Sequence, residues 1–191
     1  MTIVAPDLVV PTIFNGTQYR EASIEHLDPD EGTLLVRAVP YDVEAQLDRE
    51  LFESFAPKAF ARAANAPSRV KLWMGHNGPL IGHALDVEDR SDGVWIRSKF
   101  SKTVSATEAR ELASDGTLDQ VSITFKPSWD HMKVTRQANG LHVRHARAGL
   151  LGFALVPHGA YDTAAYVASV RSDAIDRERE RRLAALKALD H

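Results

Sequence analysis

Polar and apolar positions along most of the chain alternate residue by residue, the period of a strand and not of a helix, and this predicts a mostly β fold. YREASIEHL and TLLVRAVPY, separated by Asp28, Pro29, Asp30 and Gly32, read as a hairpin between Gln18 and Val39. Asp42 to Glu50 is acidic and poor in apolar residues. It reads as a loop leading to FESFAPKAFARAA, where Pro57 suits the first turn of a short helix over Lys58 to Ala64. RVKLWM, ending at Met74, is a strand that runs into Gly75, His76, Asn77, Gly78 and Pro79, so a histidine is presented at a strand end. LIGHALDVED and GVWIRSKF are two further strands, joined at Arg90, Ser91, Asp92 and Gly93 by a step that favours a tight turn.

The period changes between Thr103 and Ser114. Val104, Ala106, Ala109, Leu112 and Ala113 fall among Glu108, Arg110 and Glu111, the pattern of an amphipathic helix that Asp115 and Gly116 terminate. Alternation resumes at Leu118 to Phe125: Val121, Ile123 and Phe125 share one strand face and Ser122 points to the other. Strands near Lys133, over Leu141 to Arg147 and over Leu150 to Val156 follow, with Tyr161 to Val170 as a possible last one. Many strands and few helices predict a small closed or partly open β-barrel with flanking helices. Ser172 to Leu189 has a thin apolar stripe and the interleaved charges of RERERR, which predicts a solvated C-terminal helix whose opposite charges cancel any nucleic-acid field. The expected organisation is a flexible segment 1–16, a β body 17–170 and a helical tail 171–191.

Composition narrows the classes. The 191 residues suit one domain plus an appendage, and 44% apolar with 26% charged residues is ordinary for a soluble globular protein. No apolar run reaches the roughly 18 residues that span a bilayer, and the opening MTIVAPDLVVPTIFNG lacks the basic start of a secretory signal, so neither a membrane nor export is expected. With no cysteine, covalent catalysis must use another nucleophile. The net charge of -3 is spread along the chain, which argues against a nucleic-acid partner.

A serine hydroxyl needs a neighbouring base, usually a histidine, and that histidine an orienting group. Ser122 and His76 could form such a pair only if their strand ends lie side by side. The i, i+3 spacing of His142 and His145 in HVRH places them on opposite strand faces, so solvated histidines are favoured over a metal pair, and no metal or cofactor is expected. Trp73, Trp95 and Trp129 could line a groove, although core packing accounts more simply for the first two. His83 reads as a surface strand histidine. The G-x-S-x-G elbow of small esterases is absent.

From Leu34 to Val167 the sequence resembles the prohead proteases of tailed phages, Hong Kong phage type, which are related in fold to the herpesvirus assemblin proteases. WMGHNGPLIGHALDVED places His76 on the family histidine and Gly82 on its glycine. DGTLDQVSITFKP places Ser122 on the catalytic serine and Thr124 where glycine is usual. The resemblance implies a barrel-like protease domain over 17–170 and a serine endopeptidase in which His76 takes the Ser122 proton. It implies cleavage of the major capsid protein or its scaffold segment, and of the protease itself, inside a prohead in the bacterial cytoplasm. Self-association fits the same setting. In GFALVPHGAY the family's acidic position is held by Gly152, which cannot orient an imidazole. Another residue then serves, or the site is a dyad, or it is impaired and the chain is a protease-like scaffolding protein. His145 is a candidate third group because the herpesvirus relatives use a second histidine. Asp130 and His142 are weaker ones, and Arg144 or Arg147 are possible oxyanion donors beside backbone N–H groups.

Overall fold

The structure, a computed structural model, describes residues 18–26 and 32–158, the first segment in its backbone alone. Seven strands close into a barrel: β1 (Gln18–His26), β2 (Thr33–Pro40), β5 (Lys71–Met74), β6 (Leu80–Asp89), β7 (Gly93–Phe100), β8 (Gln120–Pro127) and β11 (Ala148–Val156). Around the barrel they run β1-β2-β7-β6-β5-β11-β8, with β8 returning to β1. Closure removes the unpaired edges of an open sheet. A second sheet, β3-β4-β10-β9, is built from β3 (Ala45–Asp48), β4 (Leu51–Phe55), β9 (Met132–Gln137) and β10 (Gly140–His145).

Alternation decides what fills the barrel. Leu34 and Val36 of β2, Leu72 of β5, Ile96 of β7, Val121, Ile123 and Phe125 of β8, and Phe153 and Leu155 of β11 are all buried in one continuous apolar core. Helix α1 (Val104–Ser114) adds Ala106, Ala109 and Ala113 to that core. Its first turn is capped by the Thr103 side chain, which accepts from the Ala106 amide, and Gly116 follows its end at φ +84°.

The predicted β-barrel is therefore present, as are the tight turn after β6 and the helix. Two expectations are corrected. The acidic stretch read as a loop contains β3 and leads into β4; Ala45, Leu51 and Phe55 are buried, so a few inward apolar positions sufficed to make strands. The short helix over Lys58 to Ala64 is instead a 3-10 turn, Ala61–Asn65. The segment 1–16, the possible strand over Tyr161 to Val170 and the C-terminal helix lie outside the described residues.

Candidate active site

His76 sits in the turn between β5 and β6, and the local sequence explains the turn. Gly75 has φ +70°, a conformation that costs an ordinary residue energy. At Gly78 a side chain would lie 1.7 Å from the Met74 carbonyl oxygen. The Met74 amide closes the turn on the Pro79 carbonyl at 3.1 Å, and the Gly75 amide ties it to Leu155 of β11 at 2.8 Å. His76 is thus exposed at the rim of the β5–β11 pair, yet partial burial of its ring holds its pKa below the ordinary imidazole value.

Ser122 lies within β8, between the core residues Val121 and Ile123, so its side chain is on the outward face of the barrel wall. That face is not wet: Ser122 has 0% exposure and Thr124 6%. Among the described residues the Ser122 hydroxyl has no hydrogen-bond partner, the condition in which a buried polar group calls for an explanation. Two residues earlier on the same face, the carboxamide oxygen of Gln120 is also buried without a partner among the described residues.

Strand register places these groups relative to one another. Ser122 pairs with Ala154 of β11 on one side and with Glu21 of β1 on the other, and Ala154 pairs in turn with Trp73 of β5, which pairs with Leu80. β11 therefore stands between β5 and β8, and the two strands are separated by two interstrand spacings, about 10 Å. His76 lies three residues beyond Trp73, and no hydrogen bond joins it to the Ser122 hydroxyl in this structure. The β11 residues on that face are the small Ala154 and Gly152, and the Trp73 ring lies against Gly152, where an added Cβ would be 2.1 Å from its Cζ3.

A scan against protein families matches residues 21–178 to the model described as Caudovirus prohead serine protease. The chain belongs to that family. Among solved structures, it is similar to the capsid assembly protease gp21 of bacteriophage T4, with 10% sequence identity and a TM-score of 0.50, covering 75% of this chain and all of that one. This likeness is one of fold. No curated protein matches the sequence.

The other residues singled out in this prohead protease sequence are scattered. His145 is fully buried on the core side, against Phe55 and Phe125, with its Nε2 2.9 Å from Glu53 Oε1. Phe125 faces away from Ser122, so His145 is on the wrong side of β8 to join it. His142 stacks on Phe52, with Nδ1 2.7 Å from Glu44 and Nε2 2.9 Å from the Asn139 side chain. The two histidines do point to opposite faces, but neither is solvated: His142 is buried on the second sheet, and His145 between that sheet and the barrel core. Asp130 is exposed in the 3-10 turn after β8. Arg144 is ion-paired with Asp42. Arg147 precedes Ala148, whose register partner is Pro127, five residues along β8 from Ser122. Neither arginine lies beside the serine.

Of the tryptophans, Trp95 is buried, as packing predicts, under the Arg90 guanidinium, 4.3 Å from its ring, with its N–H donating to Asp92, whereas Trp73 is only half-buried, over Gly152. Trp129 is exposed. His83 is partly buried on β6, and burial, then Lys99 and Lys71, lower its pKa. Sequence reasoning missed Gln120 and the contact of the Trp73 ring with Gly152. The first was visible in principle, because Gln-Val-Ser alternation puts Gln120 and Ser122 on one face. The second needed the parallel β5–β11 pairing, which joins segments distant in sequence.

Proposed function

We propose that this prohead protease is a serine endopeptidase in which Ser122 is the nucleophile and His76 its base. Its targets are the major capsid protein or its scaffold segment, and itself, within the assembling prohead in the bacterial host. The observation that carries the reading is the Ser122 hydroxyl: buried, without a partner among the described residues, and on the outward face of a strand whose sequence fits the family serine.

In the reaction His76 removes the Ser122 proton as the oxygen attacks the scissile carbonyl, then returns it to the leaving amine, and water releases the acyl group. The depressed His76 pKa keeps the imidazole neutral, as a base must be. Two movements are required: Ser122 becomes accessible to substrate, and the His76 turn swings over β11. The β11 side chains on that path are small, Ala154 and Gly152, so the Trp73 ring is the group that has to shift. Ser122→Ala should fold normally and abolish processing of a co-expressed capsid precursor; unchanged processing would remove the assignment.

A second reading, a protease-like assembly protein without activity, is favoured by Gly152 and by the Trp73 ring that takes the space of a side chain there. A serine-reactive fluorophosphonate separates the two, because only the enzyme should be labelled in a manner that depends on both Ser122 and His76.

A further inference from the structure

Two polar atoms on the outward face of β8 are buried with no hydrogen-bond partner among the described residues, the Ser122 hydroxyl and the Gln120 carboxamide oxygen. They belong to residues i and i+2 of one strand, with Val121 between them turned into the core. Their Cα atoms are then about 6.7 Å apart along the strand, a gap the longer glutamine side chain can largely cover. Leaving a buried carbonyl oxygen unpaired is unfavourable, roughly 1–3 kcal/mol for such a group, so the arrangement favours arrival of a partner. β11 offers none, since Val156 and Ala154 are opposite Gln120 and Ser122; on the other side the backbone register sets Ser23 and Glu21 of β1 opposite them.

We propose that the Gln120 carboxamide contacts the scissile peptide and donates its N–H to the oxyanion, which makes it a catalytic residue of the reaction set out above. The proposal rests on Ser122 being the nucleophile. When the Ser122 oxygen bonds to the carbonyl carbon, the π electron pair of the C=O moves onto the oxygen, and the Ser122 proton goes to His76. The new negative charge needs a donor aimed at it. The terminal torsion of a glutamine is broad and roughly two-fold, so half a turn exchanges its oxygen for its NH2. When the C–N bond breaks, the pair returns from the oxyanion to restore the carbonyl, and the amine leaves with the proton from His76. Neither Arg144, held by Asp42, nor Arg147, at the far end of β8, is placed for this role.

The test is the rate of phosphonylation by a fluorophosphonate probe, whose phosphoryl oxygen develops charge as the peptide oxygen does. Gln120→Met keeps the length and removes the donor; Gln120→Ala removes the side chain. Both should lower the limiting rate of labelling by roughly 100- to 1,000-fold while the probe concentration for half-maximal rate stays the same. Melting curves establish that each variant is folded, and Gln120→Met carries the test if Gln120→Ala is not. Wild-type labelling rates in a folded Gln120→Met protein would overturn the assignment. Ser122→Ala separates the two levels: labelling that persists in it defeats the nucleophile, whereas labelling lost in it but unchanged in Gln120→Met defeats only the glutamine.

Discussion

Gly152 occupies the position where the resemblance leads one to expect an acid, and the structure gives a physical reason why even a methyl group would not fit. A Cβ there would lie 2.1 Å from Cζ3 and 2.9 Å from Cη2 of Trp73, and 2.4 Å from the Lys71 carbonyl oxygen. The ring is only half-buried and can shift, but the carbonyl belongs to the β5–β11 ladder, in which Gly152 is paired with Lys71. Gly152→Ala should therefore act as overpacking, costing about 1–3 kcal/mol. With a urea m-value of about 2 kcal/mol/M, the unfolding midpoint falls by roughly 0.5–1.5 M at unchanged m. In a Trp73→Ala background the ring clash is gone and the carbonyl clash remains, so the cost should shrink without vanishing, with a coupling of at least about 0.5 kcal/mol. A Gly152→Ala midpoint equal to wild type, or an identical cost in both backgrounds, would refute this reasoning.

Other predictions follow from the same contacts. Glu53 and His145 are both 0% exposed, so Glu53→Ala leaves a buried imidazole without its carboxylate and should cost about 3–5 kcal/mol, seen as a fall in Tm of roughly 6–20 °C. Thr103→Ala removes the α1 cap and should cost about 1 kcal/mol in urea unfolding. The proteolytic rate should fall on acidification only below the ordinary imidazole pKa near 6.5, because a lowered pKa keeps His76 neutral to lower pH; an inflection above that value in the labelling rate would contradict it. The same shift makes the His76 contribution to stability complete above its unfolded pKa and lost as pH falls through the folded one, since the unfolded chain then binds the proton first.

Where the sequence spoke clearly, one local rule was at work. Alternation in QVSITF and GVWIRSKF settles which side chains enter the barrel, and Thr103 with Asp115-Gly116 bounds α1, because these depend on neighbours within a few residues. It gave faces but not burial. HVRH was read as solvated because the partners that bury it, Glu53 and Glu44, come from segments more than ninety residues earlier. β3 and β4 were hidden because AQLD and LFESF are short and carry acids, and because β4 takes its place by pairing with the distant β10, and β3 by pairing with β4. For the site, the outward direction of Ser122 was legible. The interposition of β11 was not, since it follows from the order of strands around the barrel.

The most direct measurement is to treat the folded protein with a fluorophosphonate and locate the adduct by peptide mass spectrometry. The account predicts one adduct, on Ser122, formed more slowly in His76→Ala. An adduct on a different residue, with Ser122 unmodified in protein that still processes capsid precursor, would contradict it.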